Sequence, residues 1–291
     1  MPNSFTLTPE QRHQFLEDGL VRVPGAVPAE AVEAMADRIW AALARQLGAL
    51  RDQPQTWTHE GQPQLKQMSH AGVFAAMFSP GVRALLDDFF GERGWRPPPK
   101  FEPRPLGVIF PTPGRPWNVP TRHWHLDRVG SDPTRPADVA DRPWPGCVRL
   151  FACLGAVEPG GGGTFYVSGS HRAVNLVVSE MRATQDRIPS AMIVKRLKRD
   201  SPWIADLCSK GEEKPGRVER FMHEGAEFRG VPLRVAEMTG QPGDLILWQP
   251  NLLHTYSPAN CLSTPLLVLS ATIDANGDVG SSDTLARAPL R

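Results

Sequence analysis

Residues 122–128 read RHWHLDR, which places two imidazoles and a carboxylate within five positions of one another. In a β-strand, side chains alternate between faces, so His123, His125 and Asp127 would all project from one side, where they could hold a metal ion. Spacing alone does not select among the three. His123 lies nearer the Pro120 turn and can equally serve as a supporting group, because a ligating histidine needs a partner for its second ring nitrogen. An isolated histidine is usually structural, so the segment gains force only if a second donor comes from elsewhere.

That donor stands far along the chain. The apolar run DLILWQP is followed by NLLHTYSPAN, which carries His254 just past the end of an expected strand. Two histidines and one carboxylate on one triangular face, with the opposite positions open, suit non-haem Fe(II) and the binding of a co-substrate and oxygen.

The elements that must position these groups are legible in the pattern. Thr8 caps a first helix with Pro9 at its first position and Gln11 where a capping box wants it. A short strand, GLVRVPG, follows. A second helix starts near Pro28, with Val32, Met35, Ile39, Trp40 and Leu43 forming one apolar stripe. Residues 51–66 are polar and without period, which reads as a loop or lid. A third helix, SPGVRALLDDFFG, has Ser79 as its cap, Pro80 in its first turn and Gly91 as its stop. From Pro97 the grammar changes to short β-prone runs bounded by Pro and Gly: PLGVIFP, RHWHLD, CVRLFACLGAV, GTFYVSG, PLRVAEM, DLILWQP and LLVLSATI. The expected class is mainly β with flanking helices. We read residues 1–291 as a single domain, with a helical N-terminal buttress (1–96), a β core (97–273), a helical insertion at about 173–228 and a tail (274–291).

Composition narrows the function classes. The chain has 291 residues, 41% hydrophobic and 22% charged, as in ordinary globular proteins. Its formal net charge of +1 argues against a nucleic acid or membrane partner drawn by bulk electrostatics. The basic run KRLKRD in the insertion reads as a solvated helix face. Cys147, Cys153, Cys208 and Cys261 form no CxxC pair, so neither a zinc ribbon nor a thioredoxin-like motif is supported. The N-terminus lacks a basic region leading into an apolar core, and no run of about 18 apolar residues occurs. The expectation is a cytoplasmic protein with reduced thiols.

From Leu7 to about Ile273 the chain resembles the phytanoyl-CoA dioxygenase family of Fe(II)- and 2-oxoglutarate-dependent oxygenases. LTPEQRHQFLEDGLVRVPGAV is similar to the family's opening, HWHLD to its His-x-Asp motif, GGGTFYVSGSHR to its Gly-rich turn, strand and Gly-Ser-His signature, and PGDLILWQPNLLHTYSPAN to its distal-histidine motif. The resemblance implies a double-stranded β-helix, a cupin-like jelly roll, with His125, Asp127 and His254 as catalytic iron ligands. It also implies 2-oxoglutarate and O2 as co-substrates and hydroxylation of a small organic substrate. Because Asp127 keeps the carboxylate ligand, halogenation is disfavoured.

One departure matters. Where the family usually carries an Arg roughly ten residues beyond the distal histidine, this chain has STPLLVLSATI, with Ser263, Thr264 and Pro265. A cation must then come from elsewhere if 2-oxoglutarate is bound through its far carboxylate. Arg149 shares a strand face with Phe151 and Cys153 and is our candidate, with Thr164 and Ser257 beside it as further co-substrate contacts. Without such a replacement, the alternatives are a metal-dependent enzyme that does not use 2-oxoglutarate or a non-catalytic metal-binding protein.

Other features have simpler readings. Gly160 to Gly163 form a tight turn, since no phosphate-binding Lys-Ser/Thr follows. Ser170 and His171 read as scaffold or rim, His223 as exposed, and Trp117, Trp124, Trp144 and Trp248 as core more often than pocket. The Pro- and Asp-rich loop at 128–146, with Arg128, Arg135 and Arg142, could recognise an anionic molecule.

Overall fold

Local signals set the N-terminal helices. Helix α1 (Pro9–Asp18) opens with the expected capping box, Thr8 accepting from the Gln11 backbone while the Gln11 side chain accepts from the Thr8 N–H. It stops at Gly19, whose φ of 81° suits a residue without Cβ. Helix α2 (Ala29–Leu47) buries the predicted stripe, and α3 (Pro80–Phe90) is capped by Ser79 Oγ, which accepts from Val82 N at 3.3 Å. The computed structural model describes residues 6–61, 63, 65, 72–92, 94–98, 104–112, 114–127, 146–183, 188–209, 215–257 and 259–276.

The strands are β1 (Leu20–Val23), β2 (Trp95–Arg96), β3 (Arg104–Ile109), β4 (Cys147–Cys153), β5 (Phe165–Ser168), β6 (Ala226–Phe228), β7 (Val231–Glu237), β8 (Leu245–Trp248), β9 (His254–Thr255) and β10 (Leu266–Ala275). They form two antiparallel sheets. One runs β1-β8-β4-β10-β2, with β3 also on β10, and the other runs β6-β7-β5-β9. This is the mainly β, jelly-roll class with flanking helices, although hydrogen bonds do not close the two sheets into a barrel. The N-terminal segment is more than a helical buttress, since β1 and β2 are strands of the larger sheet.

The larger sheet is covered on both faces, so its strands read as unbroken apolar runs. Leu150 and Ala152 of β4, Leu245 and Leu247 of β8, and Leu267 and Leu269 of β10 pack with α1 to α3. The alternate residues, Phe151, Cys153, Ile246, Trp248, Leu266 and Val268, face the space between the sheets. The insertion folds as α4 (Ser170–Arg182), α5 (Ser190–Asp200), α6 (Pro202–Leu207) and a π-helical turn (Glu219–Glu224), packed on the smaller sheet through Phe165, Val167, Leu233 and Val235. All four cysteines are free thiols, and burial pushes those of Cys153 and Cys208 up to about 12, which leaves them unreactive. No helix among the described residues is long and apolar enough to cross a membrane.

Candidate metal centre

The segment RHWHLD is not the strand its alternation suggested. His123 sits in the left-handed region at φ 63°, which breaks the extended run, and only His125 bridges to another strand, pairing with His254. His125 N–H donates to the His254 carbonyl at 2.9 Å and His254 N–H returns the bond at 3.0 Å. Asp127 N–H donates to Pro250 O at 3.1 Å, so the segment is stitched to the turn after β8. The left-handed turn removes His123 from the face that His125 and Asp127 share.

Three side chains converge as a result. One donor atom each from His125, Asp127 and His254 lies within 4.8 Å of the others. His125 Nε2 is 3.7 Å from Asp127 Oδ1, and His254 Nε2 is 3.6 Å from Asp127 Oδ2. The tautomers follow from the partners. His125 Nδ1 lies 2.7 Å from His123 O and His254 Nδ1 lies 2.9 Å from Leu252 O. A carbonyl can only accept, so each Nδ1 carries the proton and each Nε2 is left with a lone pair beside the carboxylate. Two imidazoles and a carboxylate, each imidazole oriented by a backbone carbonyl, are a donor set suited to a divalent transition metal.

Electrostatics favour the ligating forms. Burial lowers the basicity of His125, and His254 beside it adds to the effect. Burial alone would raise Asp127, yet the Arg149 guanidinium, which donates to it and carries a full positive charge, helps hold the carboxyl well below the usual range. Arg149 Nη1 donates to Asp127 Oδ2, while its Nε is buried without a partner among the described residues.

The centre opens into a cavity of about 200 Å3 between the sheets. Arg149, Thr164 and Tyr256 contribute its polar atoms beyond the triad, and Ile109, Phe151, Met238, Leu266 and Val268 give it an apolar wall. The candidate co-substrate residues therefore divide. Arg149 and Thr164 face the cavity. Ser257 does not line it, because its hydroxyl donates to Ala259 O at 2.7 Å and is spent on the loop. Among the described lining residues Arg149 is the only cation. Leu266 and Val268 lie on β10, which begins directly after Ser263, Thr264 and Pro265, where the family's usual Arg would fall.

Several supporting residues explain why the histidines hold their places. Ser170 Oγ accepts from Leu253 N at 2.9 Å, next to His254. His171 is buried, donates from Nε2 to Leu16 O at 2.8 Å and is held near pKa 4 by burial, so it is a neutral scaffold residue. Thr255 Oγ1 donates to Arg122 O at 2.9 Å, tying the two ligand segments together. Trp124 is buried and donates to Pro120 O, and Trp248 packs edge-on against His254 with ring centroids 5.1 Å apart. His223 is exposed as expected. Trp144 and the arginines of the 128–146 loop lie outside the described residues. Sequence reading passed over Tyr256, although it stands two residues after His254, the spacing that returns a side chain to the same face. It also passed over Glu237, whose carboxylate accepts from Trp117 Nε1 at 3.0 Å and Gly160 N at 2.8 Å behind the cavity wall.

Comparison with known proteins adds a family model described as phytanoyl-CoA dioxygenase, which matches residues 15–260. No curated protein matches the chain. Among solved structures, HygX from Streptomyces hygroscopicus with nickel and 2-oxoglutarate bound is similar at 15% identity, over 93% of this chain and 88% of that one, with a TM-score of 0.45. SnoK, a non-haem alpha-ketoglutarate-dependent carbocyclase from nogalamycin biosynthesis, is similar at 17% identity, over 97% and 91%, with a TM-score of 0.45. The epimerase SnoN, in complex with Fe3+, alpha-ketoglutarate and nogalamycin RO, is similar at 16% identity, over 91% and 82%, with a TM-score of 0.44.

Proposed function

The chain belongs to the phytanoyl-CoA dioxygenase family, and from that premise we propose that it is an Fe(II)- and 2-oxoglutarate-dependent dioxygenase that hydroxylates a small organic substrate. The observation that carries the proposal is the convergence of two imidazole lone pairs, each proton fixed on the far nitrogen by a carbonyl, on one ionised carboxylate. His125, Asp127 and His254 hold the metal in this reading. Bound there, Fe(II) with 2-oxoglutarate and O2 supplies oxidation of an unactivated C–H bond, coupled to conversion of 2-oxoglutarate to succinate and carbon dioxide.

The chain's own residues do the rest. The carbonyls of His123 and Leu252 hold the Nδ1 protons of His125 and His254, so each ring presents Nε2 to the metal. Asp127 stays ionised across the physiological range and supplies the negative charge. Arg149, with a buried Nε free of partners among the described residues, supplies the cationic contact for a carboxylate of 2-oxoglutarate, and the Thr164 hydroxyl adds a polar contact across the cavity. Phe151, Leu266 and Val268 keep water from the reacting atoms. A second reading, a metal enzyme that does not use 2-oxoglutarate, draws on the absence of the family's Arg at Ser263, Thr264 and Pro265.

The test is anaerobic titration of 2-oxoglutarate into the Fe(II)-loaded protein, following the visible charge-transfer band of a chelated oxo-acid. A saturable band in wild type that is absent in His254→Ala supports both metal and co-substrate. In Arg149→Ala the half-saturating concentration should rise roughly ten- to hundredfold, the value of a charged hydrogen bond. Iron bound with no band at millimolar 2-oxoglutarate would select the second reading.

A further inference from the structure

A second cavity, of about 640 Å3, lies on the other side of the ligand segment. Its polar lining is Thr121, Arg122, His123 and Lys198, with Trp124, Val194 and Cys208 completing the wall. No carboxylate is among its described lining residues.

The state of the neighbouring cations makes this composition informative. Around the insertion, several arginines are paired with acids. Arg196 bonds Asp200 and Glu180, Arg199 bonds Asp200, and Arg220 bonds Asp206. Arg217 is buried and donates to Val119 O, Pro120 O and Leu207 O. Arg122 and Lys198 differ from the ion-paired arginines. Neither has a carboxylate within 4 Å among the described residues, and the Lys198 ammonium makes only a 3.4 Å contact to Cys208 O. Two cations left without acids in one concavity concentrate positive potential there. The basic run of α5 is thus not uniformly solvated, since one lysine is turned into a cleft that the metal segment itself lines.

The two cavities share a wall. His123 lines the cationic one, and its ring stacks on Tyr256, which lines the metal cavity, with centroids 5.1 Å apart and planes 25° from parallel. The same His123 carbonyl orients His125. Residues 121–124 therefore line one cavity and residues 125 and 127 the other, with the stacked His123 and Tyr256 rings between them.

We propose that this cleft is the substrate's anchoring subsite and that the substrate is an organic anion. Its carboxylate or phosphate lies between Arg122 and Lys198, with the Thr121 hydroxyl as an additional donor, and its apolar or aromatic part lies against Trp124 and Val194. The subsite deepens the oxygenase reading and rests on it for the identity of the bound molecule as substrate, but anion binding itself does not depend on that reading.

The experiment is calorimetric titration of phenyl phosphate, benzoate and benzyl alcohol into the full-length protein loaded anaerobically with Fe(II) and 2-oxoglutarate. The expected result is saturable binding of at least one anion, no detectable binding of the uncharged alcohol, and a loss of affinity of at least tenfold in the Arg122→Gln/Lys198→Gln double variant. Both side chains are at least partly exposed, so the variant should fold, and an unchanged charge-transfer band verifies it. The relative affinities of phosphate and carboxylate identify the anion class. Absence of saturable anion binding in wild type, or equal affinity in wild type and the double variant, overturns the subsite. Loss of the charge-transfer band in wild type overturns the oxygenase reading instead, and the two failures are separately visible.

Discussion

Glu237 offers a perturbation whose sign and size follow from its surroundings. It ends β7 with one carboxylate oxygen accepting from Trp117 Nε1 and Gly160 N and the other, Oε1, buried without a partner among the described residues. Burial raises its pKa from 4.5 to about 7, against the lowering effect of those two donors and of the Gly163 backbone. Between pH 4.5 and 7 the folded chain therefore keeps a proton that the unfolded chain has lost, so stability falls as pH rises through this window and levels off above it. A shift of this size corresponds to about 3 kcal/mol at ~1.4 kcal/mol per unit. Glu237→Gln removes the titrating group while keeping an oxygen for the two donors. Urea denaturation followed by tryptophan fluorescence, in 2-oxoglutarate-free buffer from pH 4.5 to 8, should show wild type losing about 3 kcal/mol relative to the variant. His171, held near 4, contributes the opposite slope, with stability lost as pH falls from 6.5 toward 4, but it is present in both proteins and cancels in the difference. Parallel profiles within about 0.5 kcal/mol, the usual reach of a neutral surface change, would refute the argument that this carboxyl is protonated by burial.

Two further substitutions probe how the scaffold holds the metal ligands. Ser170→Ala leaves the buried Leu253 N–H without its acceptor, which should cost about 1–3 kcal/mol in urea denaturation and weaken Co(II) binding roughly tenfold through the adjacent His254. A change under about 0.5 kcal/mol with unaltered Co(II) affinity would show that the contact is dispensable. Gly19→Ala places a Cβ 2.5 Å from His171 Nδ1 and 2.8 Å from Leu252 Cδ2 at a φ of 81°, so backbone strain and overpacking together should destabilise by about 2–4 kcal/mol. Thermal unfolding within a degree or two of wild type would contradict that packing.

The sequence by itself determined whatever is encoded within a few neighbouring residues. Thr8, Pro9 and Gln11 set the start of α1, the i, i+3, i+4 stripe set the buried face of α2, and period-two alternation placed Arg149 on one face of β4 with Phe151 and Cys153, while packing made that face the inner one. The strands β4, β5, β7, β8 and β10 were legible for the same reason, since each carries its own apolar pattern and turn residues. The strands β2, β6 and β9 were not, because two or three residues hold no period and form only against a partner distant in the chain. The division of labour among His123, His125 and Asp127 was likewise a tertiary decision. Alternation put all three on one face, but pairing of His125 with His254 and a left-handed turn at His123 sent His123 to the neighbouring cavity and left its carbonyl to fix the His125 proton. Tertiary packing also decided that Arg149 meets Asp127, that Ser257 is spent on its own loop, and that Glu237 keeps its proton. These outcomes depend on which groups meet after distant strands pair and water is excluded, and no spacing along the chain encodes the local dielectric or a partner more than a hundred residues away.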